Sequence, residues 1–142
     1  RTDLLAPWFE EKLLKTIDLC KSSGLPLAVF ETYRSPARQD WLYAQGRTRP
    51  GAKVTAAKAW QSWHQFGIAA DCVFYVDKKW NWEGDWDKVH DIFESAGFET
   101  ISWEKPHFQI TSGMKITEAV ELAKASGIVA VWDLVEKRFN KS

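Results

Sequence analysis

The stretch Ile68-Ala69-Ala70-Asp71-Cys72-Val73-Phe74-Tyr75-Val76 decides the fold. It is a nearly continuous apolar run of strand length, and such a run predicts a central strand buried on both faces. Its one charge is Asp71. An unpaired carboxylate in a buried strand is costly, so a metal or a cationic partner is expected beside it. Side chains alternate along a strand, so if Asp71 faces a metal, its neighbour Cys72 faces the core.

Candidate partners flank the run. Upstream stands Ser62-Trp63-His64-Gln65-Phe66-Gly67, and downstream Glu104-Lys105-Pro106-His107. His64 and Asp71 are an odd number of residues apart, so one straight strand would aim them at opposite faces. They converge only if the chain turns between them, and Gly67 permits that turn. Glu104 and His107 raise the same problem, and Pro106 supplies the bend there. His64, Asp71 and His107 thus form a candidate three-ligand zinc site, the usual number in catalytic sites that keep a position for water. Glu104 stands where a general base is needed. By contrast His90, placed among Asp87 and Asp91 on a predicted helix, is expected to be solvated.

The flanking pattern predicts an α+β domain. A helix is expected over 8–23, with Pro7 at its start and Gly24 beyond its end. A strand is expected over 27–33, and a helix from Ser35-Pro36 through Gln45, closed by Gly46. Residues 47–61 read as a long irregular stretch. After the central strand come a turn at Asp77-Lys78-Lys79 and a short aromatic segment at Trp80 and Trp82. A helix through Trp86, Val89 and Phe93 ends at Gly97. Strands are expected over 98–101 and 108–110, then helices over 117–125 and 128–139.

Composition narrows the class. A chain of 142 residues suits one domain, here taken as 1–142. Nineteen acidic and nineteen basic side chains cancel, which argues against nucleic acid or an anionic membrane as partner. No apolar run approaches the ~20 residues that span a bilayer. Cys20 and Cys72 are too few for a disulfide scaffold or a cysteine-based metal cluster; Cys72 is expected as a buried free thiol, and whether the two pair stays open. The start at Arg1, without methionine, reads as a processed or trimmed chain and is compatible with export. Of the nine tryptophans, Trp8, Trp86 and Trp132 fall on helical apolar stripes and are expected in the core. Trp60, Trp63 and Trp103 flank the candidate ligands as possible walls of the site.

The pattern Ser62-x-His64-x-x-Gly67-x-Ala69-x-Asp71, followed by Glu104-x-Pro106-His107-Phe108, resembles the M15 zinc peptidases, which act on D-amino-acid-containing peptides of bacterial cell walls. Upstream, Thr32-Tyr33-Arg34-Ser35-Pro36 with Gln39, then Tyr43-Ala44-Gln45-Gly46-Arg47-Thr48-x-Pro50-Gly51, is most similar to the L-alanyl-D-glutamate endopeptidase branch. The likeness runs from about Phe30 to Ile110. It implies a hedgehog/D,D-peptidase-like fold: one small α+β domain whose antiparallel sheet carries a Zn2+ site, with helices packed around it. It further implies that His64, Asp71 and His107 bind zinc, and that Glu104 deprotonates the attacking water. Arg34 would steady the oxyanion, a place that suits the charge and fixed donor fork of arginine. Ser62 and Gln39 would contact substrate.

Glutamate at position 104 is nevertheless the type found in the carboxypeptidase and dipeptidase branches, and Phe98-Glu99-Thr100-Ile101-Ser102-Trp103 lacks the glycine- and tryptophan-rich character often seen ahead of the endopeptidase base. Three functions therefore stay open. They are L-Ala-D-Glu endopeptidase of peptidoglycan stem peptides, D,D- or L,D-carboxypeptidase, and a non-catalytic zinc-binding module. A metal-free domain is a fourth and blander possibility. The basic residues Arg47, Arg49, Lys53 and Lys58 are candidates to receive stem-peptide carboxylates, against the ordinary alternative of a solvated loop. Trp80 and Trp82 offer flat faces to glycan. A monomer acting in the periplasm, in secretion or as a phage lysin is the expected setting.

Overall fold

The computed structural model describes residues 5–48, 50–51 and 61–141. In chain order the elements are α1 (Pro7–Ser22), β1 (Leu27–Glu31), α2 (Pro36–Ala44), β2 (Ala69–Val76), β3 (Lys79–Asn81), α3 (Trp86–Ser95), β4 (Glu99–Thr100), β5 (His107–Gln109), α4 (Ile116–Ser126) and α5 (Ile128–Lys141). A 3₁₀ turn, Trp63–Phe66, precedes β2. The sheet is antiparallel, in the order β1-β2-β5-β4, with β3 paired to the far end of β2. The apolar run is indeed the central strand. Its last residues, Tyr75 and Val76, emerge into solvent, where the chain folds back through Asp77 and Lys78 into β3. Both turn residues have positive φ, 53° and 63°, as a two-residue hairpin of right-twisted strands requires.

Alternation along β2 sorts its side chains. Ala70, Cys72 and Phe74 enter a core with Phe9, Leu13 and Ile17 of α1, Val89 and Phe93 of α3, and Val131 and Val135 of α5. Phe93 stacks on Phe108 of β5 at 3.9 Å between ring centroids and meets Phe98 edge-on at 5.0 Å. Each fully buried side chain of this size contributes about 1.5–3 kcal/mol. Asp71 lies on the opposite face of the sheet from Cys72. Both cysteines are free and buried, Cys72 as expected, and burial pushes the Cys20 thiol up to about 11.

Two differences from the expected elements bear on the site. β1 stops at Glu31 instead of reaching Tyr33, and its pairing to β2 slips by one residue between Val29 and Glu31. Val29 faces Cys72, so a regular ladder would set Phe30 opposite Asp71; the bulge sets Glu31 there. The second is the 3₁₀ turn ahead of Gly67, where no element was expected. Ser62 and Gln65 cap it reciprocally: Ser62 Oγ accepts from His64 N–H at 3.3 Å, and Gln65 Oε1 accepts from Ser62 N–H at 3.2 Å.

The C-terminal helices close the core. α4 and α5 meet at Gly127 (φ 88°). From α5 the Trp132 indole N–H donates to the Phe66 carbonyl at 2.6 Å. The Phe139 ring lies against Gly97, 2.5 Å from where a Cβ would stand. Trp86 is buried, while Trp8 and Trp132 pack partly exposed on the core.

Candidate metal centre and active site

Asp71 and His107 are direct cross-strand partners on β2 and β5, so the ladder itself brings them together. Gly67, in the left-handed region at φ 72°, ends the 3₁₀ turn and swings His64 in from the side. His64 Nε2 lies 3.3 Å from Asp71 Oδ1, and His107 Nδ1 lies 3.4 Å from the same oxygen. All three donor atoms fall within 4.8 Å of one another. Two donors bound at ~2.0–2.1 Å to one tetrahedral ion would stand about 3.3 Å apart. Two imidazoles and a carboxylate, mostly buried and with both histidine–carboxylate separations already near that value, fit a divalent transition metal.

Each histidine has its other nitrogen engaged. His64 Nδ1–H donates to the Thr32 carbonyl at 2.6 Å, which leaves Nε2 free to face Asp71. His107 Nε2 meets Gln109 Oε1 at 2.7 Å. Burial alone would raise the Asp71 carboxyl, but hydrogen bonds from His107 and His64, and their charge, hold it well below the usual carboxylate range. For His107 burial works downward and is outweighed by Asp71, with help from Gln109 and Glu104, so the imidazole sits above its ordinary value.

Arg34 is braced from three sides. Its Nε and Nη2 donate to the two Glu31 carboxylate oxygens, each at 3.1 Å. Its Nη1 donates to Gln39 Oε1 at 2.8 Å, and Nη2 comes within 3.7 Å of Asp71 Oδ2. The bulge in β1 is what puts Glu31 in this position. Glu104 reaches the site through a tight turn: His107 N–H donates to the Glu104 carbonyl at 2.9 Å, with Lys105 and Pro106 between. The turn is tied to α3 by His90, whose Nε2 donates to the Lys105 carbonyl at 2.8 Å. Arg34, Ser62, His64, Asp71, Glu104 and His107 all line one cleft of about 320 Å³.

Several expectations need correction. Gln39 was expected at the substrate; its side chain is fully buried and turned to Arg34 and to Gln65, whose Nε2 donates to Gln39 Oε1 at 3.3 Å. His90 is not a merely solvated side chain but a brace of the Glu104 turn. Trp63 and Trp82 line the cleft, whereas Trp103 is 83% exposed and lies outside the lining. Trp60, Arg49, Lys53 and Lys58 fall outside the described residues, and Arg47 stacks on Tyr43 with its guanidinium 3.9 Å from the ring centroid. Sequence reading missed Glu31, Thr32, Glu99 and Gln109 as supports of the site. For Gln109 a signal existed: two residues beyond His107 on a strand, it shares its face.

Comparison with known proteins agrees with this geometry. Over 91 residues the chain is 36% identical to peptidoglycan L-alanyl-D-glutamate endopeptidase CwlK of Bacillus subtilis (strain 168), an overlap of 55% of this chain and 53% of that protein. The chain therefore spans about half the length of the curated relative it matches. The VanY family model, described as D-alanyl-D-alanine carboxypeptidase, matches residues 3–112, which include every candidate site residue. A match over most of the chain, on a fold that gathers the His-Asp-His set of the M15 pattern, means that the chain belongs to the VanY family of M15 peptidases.

Proposed function

We propose that this domain is a zinc-dependent peptidase of peptidoglycan stem peptides that cleaves between L-Ala and D-Glu. The observation that carries the reading is the shared cleft: three candidate metal donors, an acid–base carboxylate and a fixed arginine line one opening. A binding module has no use for the last two together. The relative's name supplies the bond, and the whole 142-residue chain is taken as one catalytic domain, since α5 packs into the same core as α1 and α3.

His64, Asp71 and His107 would hold the ion, and the chemistry zinc supplies when bound is Lewis acidity, which brings water toward pKa ~7 and polarises a carbonyl. Glu104 takes the proton from the attacking water as the new C–O bond forms. It then delivers that proton to the amine nitrogen as the C–N bond breaks, a transfer worth ~10²–10⁴ in rate. Arg34, immobilised by Glu31 and Gln39, presents its positive charge where the carbonyl oxygen becomes an oxyanion. Ser62 at the cleft wall offers a hydroxyl to the substrate backbone while it caps the His64 turn. Gln39 acts by holding Arg34. Such a substrate implies action at the cell wall, outside the cytoplasm; no helix among the described residues is long and apolar enough to cross a membrane.

The second reading, removal of a terminal D-amino acid, is favoured by the family model's description and by glutamate at position 104. Zinc-loaded protein incubated with defined muropeptides, with Glu104→Ala in parallel, separates the two by mass spectrometry. Loss of L-Ala from the stem supports the endopeptidase. Loss of one terminal residue moves the protein to the carboxypeptidase branch. Unchanged peptides with zinc bound would overturn both.

A further inference from the structure

The two candidate histidine ligands are oriented by acceptors of different kinds. Behind His64 stands the Thr32 backbone carbonyl, which can only accept, so His64 Nδ1 must be the donor. Behind His107 stands the Gln109 amide, which accepts through oxygen or donates through nitrogen depending on which way it is turned. Turned the wrong way, it would meet His107 Nε2 with an N–H. The proton would then be driven to Nδ1, the nitrogen that faces Asp71.

The sheet removes that freedom. Glu99 on β4 is the direct cross-strand partner of Gln109 on β5. Its Oε1 accepts from Gln109 Nε2 at 3.3 Å. The same carboxylate accepts from the Thr111 and Ser112 backbone N–H groups at 2.8 and 3.2 Å, and from Thr111 Oγ1 at 2.7 Å. With backbone donors behind it, the carboxylate is acceptor on every side. The Gln109 NH₂ must point to Glu99, its oxygen must point to His107, and the proton of His107 must sit on Nε2. The Nδ1 lone pair is left facing Asp71, 3.4 Å away.

We propose that Glu99 and Gln109 are positioning residues for the metal centre, a hydrogen-bond relay anchored on the Thr111–Ser112 backbone that fixes which nitrogen of His107 is offered to the metal. The inference rests on the metal-site part of the proposed function. Outer partners of this kind typically govern metal affinity by ~10–100-fold.

The test is zinc affinity by chelator competition, with the melting temperature of the metal-free protein recorded beside it. Gln109→Leu deletes the acceptor and should weaken zinc binding ~10–100-fold. Glu99→Gln lets the Gln109 amide turn over and should weaken it by a smaller factor. The decisive protein is the double variant Glu99→Gln/Gln109→Glu. It puts an acceptor-only carboxylate behind His107 and an amide behind that, so the bond between positions 99 and 109 reverses while the acceptor that faces His107 Nε2 is preserved. Recovery of wild-type affinity in the double variant is the expected result, and a purely structural role for the pair would not produce it. Gln109→Leu with unchanged affinity, or a double variant no better than Gln109→Leu, would overturn the relay. Wild-type protein that binds no zinc would overturn relay and metal reading together. Zinc binding without muropeptide cleavage would sink only the peptidase reading, with the affinity series still deciding the relay.

Discussion

Asp71 and His107 are held differently from His64, Arg34 and Glu104. The first two sit opposite each other in a β-ladder, where backbone hydrogen bonds and register set their separation. The other three stand on turns and connections, held by side chains: Ser62 and Gln65 cap the His64 turn, Glu31 and Gln39 brace Arg34, and His90 ties down the Glu104 turn. Placement by register resists local change, because moving one residue means moving a strand. Placement by side-chain braces can be loosened one contact at a time. The two halves should therefore fail in different ways when they are cut.

The largest effect should come from the ladder. Asp71→Ala removes both carboxylate oxygens, including the one that both histidines face, and zinc affinity should fall beyond the ~100-fold that outer partners reach; titration with a chromogenic chelator checks this, and near-normal affinity would remove Asp71 from the donor set. On the other side, Glu104→Gln should leave zinc affinity within about twofold while kcat on muropeptides drops by ~10²–10⁴. A parallel loss of metal would show that the two halves are not separable. Gln39→Leu should act through Arg34, lowering kcat about tenfold, less than the 10²–10³ lost with a direct oxyanion donor. A rise in KM with kcat unchanged would instead return Gln39 to substrate contact.

Gly67→Ala probes the joint between the halves. Its φ of 72° belongs to the left-handed region, so a Cβ there should cost about 1–2 kcal/mol and lower the melting temperature by a few degrees. No change in melting would mean that the turn relaxes without strain. The smallest effect is expected at the thiols. Both are buried, with Cys20 pushed up to about 11 and Cys72 raised by burial and then by the Asp71 charge. Alkylation in native buffer should be negligible beside that in denaturant. Rapid native labelling of either would contradict the closed core.

Legibility in the sequence follows the same division. The central strand announced itself by its apolar run, and the bends needed to join His64 to Asp71 and Glu104 to His107 followed from odd spacings with Gly67 and Pro106 between them. Hydrophobic period and chain-breaking residues are local signals. The bulge that turns Glu31 toward Arg34 was invisible, because it is a property of the pairing of β1 with β2. Gln39 carries no mark of burial, since a glutamine is polar wherever it sits and only tertiary contacts decide what it touches. Glu99 became relevant only once β4 was known to lie beside β5. Trp103, adjacent to Glu104 in sequence, shows the converse: nearness along the chain did not put it in the cleft.

The bond from Trp132 to the Phe66 carbonyl has a consequence for how portable this candidate site is. Every candidate site residue lies within the stretch that matches the family model, and that stretch ends at 112. The indole that grips the last residue of the His64 turn comes from twenty residues farther on. A transplant cut at the family boundary would carry all the chemistry and leave behind the clamp on one of its three donors.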